Sequence, residues 1–228
     1  MSENHNWFFM DKERLVYIEK IYAIWGGILF IWALYRAFLS LPEWVDELVV
    51  KPLVFLGPPV FFILVKEKRP LASIGVNISH LPRDLFFGLF FGILFTVVGV
   101  FTNFIKHGSI NLNPIVAITG NSLIITLLLS LVSAFTEETL VRGFLFSRLA
   151  GGYKSDLKGM LISSLMYLFI LVPIVLVRLH LRPYALLLLL VSNFVLSFAN
   201  TMIFSETKSV TVPVLIHAFW NMAVVLYL

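Results

Sequence analysis

The sequence has no cysteine and little charge. Zero cysteines in 228 residues exclude disulfides, thiolate zinc sites, iron–sulfur clusters and a cysteine nucleophile. Charged residues make up only 13% of the chain, where a soluble domain carries about 25%. In their place stand 59% hydrophobic and 15% aromatic residues, with a mean hydropathy of +0.94. A chain so poor in polar groups cannot cover itself with a wetted surface. That excludes a soluble globular domain, a disordered chain, a coiled coil and a nucleic-acid reader. The pI near 9.4 reflects a net charge of +4 spread thinly between apolar runs. In a membrane protein such an excess of Lys and Arg records orientation.

What is present is a series of apolar runs. About 20 apolar residues cross roughly 30 Å of hydrocarbon. Such runs fall at about Ile18–Leu39, Val49–Val65, Leu85–Ile105, Ile115–Phe135, Gly159–Val177, Tyr184–Phe204 and Val210–Leu228. The second is the weakest, being short and broken by Gly57-Pro58-Pro59. The first is too long for a cleaved signal and reads as a retained span. The expected fold is all-α: a polytopic transmembrane bundle of about seven spans (or eight), one integral membrane domain over residues 1–228. With the N-terminus inside, twelve of the seventeen Lys and Arg residues face the cytoplasm, and Arg36, Lys51, Lys106, Arg178 and Arg182 face out. That bias predicts a multi-pass cell-membrane protein with a cytoplasmic N-terminus.

Of thirteen carboxylates, eleven are expected in tails or loops. Glu137 and Glu138 are different, because they directly follow an apolar run and are placed at its inner end. Ionisable groups in a span are costly, tend to face an interior, and tend to be functional. Glu138 and Arg142 are four residues apart, so on a helix they share a face and can pair. Glu137 points about 100° away and has no equivalent partner, which leaves it able to act as a base near neutrality. The competing reading is a polar helix end at the headgroups. A second set is His217 and Asn221, also four apart near the start of the last run. Two donors on one face can build an oxyanion hole or simply clip two helices together. Both sets fall at the same inner side. A third stripe, Asn193, Ser197, Asn200 and Thr201, fits close helix packing, or else the lining of a cavity.

These residues resemble the CPBP family, the CAAX-protease and bacteriocin-processing (Abi) intramembrane proteases. Its first motif is matched by Glu137-Glu138-Thr-Leu-Val-Arg142 and its third by His217-Ala-Phe-Trp-Asn221, in a core over about residues 130–228. The resemblance implies a glutamate-type endopeptidase in which Glu137 activates water. Glu138 and Arg142 support it, and His217 with Asn221 stabilises the oxyanion. The second motif departs, since Tyr167 holds its aromatic position but Leu171 stands where the family has histidine. Three outcomes stay open. A polar substitute such as Asn193, Asn200 or Tyr167 takes over, a partner subunit supplies the group, or the chain is a scaffold or immunity protein that binds peptide without cutting it. The expected partners are membrane lipid and a peptide or protein substrate at the inner membrane face, with no nucleic acid. No cofactor and no tightly bound metal are expected, because only one histidine lies in a span.

Overall fold

The computed structural model describes residues 12–77, 79–108, 123–175, 177 and 182–227. Among them every long element is a helix. The order is α1 (Lys12–Phe38), α2 (Glu43–Glu67), a short 3-10 turn (Leu71–Ile74), α3 (Leu81–His107), α4, α5 (Asp156–Ile174), α6 (Pro183–Thr207) and α7 (Thr211–Tyr227). α4 joins three stretches, Leu123–Glu138, a π-helical Thr139–Phe146 and Ser147–Tyr153. Six of the seven helices are long and apolar enough to cross a membrane, and α7 adds a further 17 apolar-rich residues. The outer faces of α3 and α6 keep large side chains such as Phe86, Phe90 and Val195 exposed, as lipid contact requires. Residues 115–122 of the fourth expected run, His180 and the extreme N-terminus lie outside the described residues.

Two expected boundaries are corrected. α2 is a full helix of 25 residues, not a short broken run. Pro58 and Pro59 sit inside it, and the chain then widens into a π-helical turn at Phe62–Glu67. Local adjustments of this kind accommodate proline within a spanning helix. The fourth span does not end at Phe135. It continues to Tyr153, so Glu137 and Glu138 stand near the middle of α4, about 20 Å from either end at 1.5 Å per residue. All eight residues of its π-helical segment are buried. Apolar residues on both sides of the glutamates hold this stretch inside the bundle.

The expectation that eleven carboxylates lie in tails or loops also fails. Asp46 is buried and pairs with buried Arg36 at 2.7 Å. Asp84 is buried in the first turn of α3. Glu67 on α2 pairs with Arg148 on α4 at 2.7 Å and accepts a hydrogen bond from Tyr17 on α1. Arg36 and Lys51, expected to face the outer side, are packed within the bundle. Charges buried this way need partners, and each of these has one.

Close approach of backbones sets the position of α7. Gly88 and Gly92 lie one turn apart on α3, and a Cβ at either would come within 2.4 Å of Leu215 or Phe219. These two α7 residues flank His217 in sequence. Small residues four apart let membrane helices pack backbone to backbone. On the other side, Gly143 of α4 lets the carbonyl of Ile74 approach, since a Cβ there would be 2.6 Å from that oxygen. The 3-10 turn then ties into α7 through a hydrogen bond from the Val210 amide to the Gly75 carbonyl, 3.1 Å.

Candidate active site

Five helices converge on the two glutamates. α4 contributes Glu137, Glu138 and Arg142, α7 contributes His217, α6 contributes Asn200, α5 contributes Tyr167 and α2 contributes Lys51. Glu138 is fully buried and engaged on several sides. Its Oε1 lies 2.6 Å from His217 Nδ1, and Arg142 Nε lies 3.0 Å from Oε2. Asn200 donates to Oε1 from 3.4 Å. Arg142 is itself buried, donates from Nη2 to the Ser197 carbonyl at 2.9 Å, and stacks its guanidinium over the Tyr167 ring. The expected Glu138–Arg142 pair is therefore formed, and α6 completes it.

Glu137 is slightly less enclosed than its neighbour, 8% exposed against 0%. It is not without a partner, contrary to the expectation from helical spacing. Lys51 Nζ lies 2.8 Å from Glu137 Oε1. The same ammonium donates to Ser133 Oγ and to Glu47 Oε2, each at 2.6 Å. Glu137 Oε2 faces the other way, 3.7 Å from His217 Nε2. The imidazole thus stands between the two carboxylates, bonded to one and just outside hydrogen-bond distance of the other. The Tyr167 ring meets His217 edge-on at 6.1 Å.

Asn221 lies one turn beyond His217 and is half-buried, with no hydrogen bond or ion pair among the described residues. Asn193 does not join the cluster. Its amide donates to the Leu189 carbonyl of its own helix at 2.8 Å. Leu171 packs against the apolar cluster that holds Phe55, Tyr167 and Ile170. Nearby, Arg142 Nη1, Ser197 Oγ and Asn200 Oδ1 are buried with hydrogen-bonding capacity that the described residues do not use. Among the described residues no group of three or more His, Asp or Glu side chains is arranged to hold a metal ion. A groove of about 830 Å³ lies elsewhere, between α1 and α2 beside Tyr17, Phe62 and Lys66.

Lys51 is the site residue that sequence reasoning missed. Its signal was present, a lone lysine two residues into the second apolar run with proline after it. The charge count places it only on the outer side, and nothing in its spacing links it to Glu137.

Residues 119–223 match the model of the family described as type II CAAX prenyl endopeptidase Rce1-like. The C-terminal region of the chain is Rce1-like. It begins just before α4 and contains every site residue except Lys51 and its partner Glu47. The likeness of this region, which is less than half of the chain, is to CAAX-type intramembrane proteases. Comparison with the curated proteins found no match, and comparison with the solved structures found none.

Proposed function

We propose that the chain is an intramembrane endopeptidase in which Glu137 is the base that activates water. The observation that supports this best is the meeting of Glu137, Glu138 and His217 across α4 and α7, within 3.7 Å, inside an apolar bundle. Glu138 is committed to Arg142, Asn200 and His217, which makes it a support. Glu137 has one oxygen held by Lys51 and the other turned toward His217 Nε2. A water between that oxygen and the imidazole would be oriented by both groups. As it attacks the peptide carbonyl, its proton passes to Glu137 Oε2 and its oxygen bonds to the carbonyl carbon. The same proton then goes to the leaving nitrogen as the C–N bond breaks. Asn221, which has no hydrogen bond among the described residues, lies on the same face of α7 and serves the oxyanion. With Nδ1 bound to Glu138, His217 can add a second donor through Nε2 only as an imidazolium.

The substrate class we propose is a CAAX-type, lipid-modified peptide presented at the inner membrane face, with the N-terminus of the chain cytoplasmic. The test is cleavage of a quenched fluorogenic farnesylated CAAX peptide by purified protein in lipid nanodiscs. Glu137→Gln is expected to abolish turnover, by about 10²–10⁴-fold for loss of a general base, while the protein stays folded. Unchanged turnover in that variant would falsify the assignment. A second reading, a membrane protein that binds such a peptide without cutting it, draws on two observations: Leu171 is apolar, and Glu137 is ion-paired. Peptide retention by wild-type protein with no product formed would favour it.

A further inference from the structure

We propose that Lys51, on α2 and outside the Rce1-like region, is a positioning residue for Glu137, holding its Oε1 so that Oε2 is left to take the proton from water. This rests on the reading of Glu137 as the base.

The geometry makes Lys51 more than a surface ion pair. It is 6% exposed, and its ammonium has three protons and three acceptors within 2.8 Å: Glu47 Oε2, Ser133 Oγ and Glu137 Oε1. Ser133 also points at Glu137 Oε1, from 3.5 Å, so that oxygen is occupied on two sides. A buried carboxylate must be compensated to stay ionised. Within the Rce1-like region the buried Arg142 is spent on Glu138. Leu171 offers no charge. The compensation for Glu137 therefore arrives from a different part of the chain.

α2 is shaped to deliver it. A π-helical turn, Asp46–Val50, comes immediately before Lys51. Asp46 at its start is clamped by Arg36 and by the Tyr35 hydroxyl, both from α1. Arg36 in turn lies over the Trp32 ring at 4.3 Å. Wide turns of this type are uncommon and often mark functional positions. A compact ammonium on a flexible stem suits the task, since it reaches three acceptors that a planar guanidinium would not match.

Function can be separated from mere packing. In nanodiscs, with the same farnesylated CAAX peptide as probe, Lys51→Met is expected to lower kcat by roughly 10–100-fold, as loss of an outer-shell partner does. KM is expected to stay within about twofold. Lys51→Ala is expected to recover part of its kcat in ethylammonium, but not in choline at equal concentration, because only the primary ammonium fits and donates. If Lys51→Met does not fold, Lys51→Arg keeps the charge and moves the donors, and kcat then falls at unchanged Tm. Wild-type kcat in Lys51→Met or Lys51→Arg, with Glu137→Gln inactive, overturns the role of Lys51 and leaves the base in place. Activity in Glu137→Gln, or no cleavage by wild type, overturns both.

Discussion

The two neighbouring glutamates differ because one side chain is spent and the other is aimed. Glu138 is 0% exposed and its carboxylate is shared among Arg142, His217 and Asn200. Removing one partner of a buried ion pair strands the other charge, which costs about 3–5 kcal/mol. Glu138→Gln is thus expected to lower Tm sharply in detergent and to reduce the yield of folded protein. Glu137→Gln leaves Lys51 still paired with Glu47, so its stability loss should be clearly smaller than that of Glu138→Gln. Equal losses of stability in the two variants would contradict this division. The Glu138–Arg142 contact was legible in the sequence, because helical spacing alone brings those side chains together. The partner of Glu137 was not, because Lys51 is 86 positions away and reaches it only through packing of α2 on α4.

At the scale of elements, glycines decide where the catalytic histidine candidate sits. Gly88 and Gly92 seat Leu215 and Phe219, and so fix the depth and rotation of α7 around His217. Gly92→Val adds a branched side chain where a Cβ already meets Phe219 at 2.4 Å. Overpacking of this kind costs about 1–3 kcal/mol. We expect a lower Tm and a loss of turnover larger than the loss of folded protein, since His217 is displaced from Glu138. Activity per folded molecule equal to wild type would sink that account. The polar stripe on α6 divides in a way that spacing alone does not reveal. Asn200 reaches Glu138 and Ser197 offers its carbonyl to Arg142, whereas Asn193 bonds its own backbone. Helix ends follow simpler rules. Lys68, Lys154 and Lys208 end α2, α4 and α6 in the left-handed conformation, and Ser155 then caps α5.

The whole molecule is two stretches of chain joined by buried charge. α1 and α2 precede the Rce1-like region, yet they meet it through Lys51–Glu137 and through Glu67–Arg148. Arg148 binds Glu67 with two nitrogens and adds the Ser73 carbonyl and hydroxyl from the 3-10 turn. We expect Arg148→Met to be destabilising by about 3 kcal/mol or more, and Arg148→Met with Glu67→Met to cost less than the two single losses added together. Additive melting shifts in that cycle would show that the pair is not coupled.

The sequence by itself determined the solvent, the helical class, the order of the spans and the residue types of the first and third motifs. These follow from composition and from spacing within one helix, which are local properties. Only the tertiary structure decided that the glutamates lie mid-helix, that His217 stands between them, and that a lysine far upstream occupies one of them. The physical reason is burial: in an apolar bundle each charge must find a partner, and which partner it finds depends on which helices pack side by side.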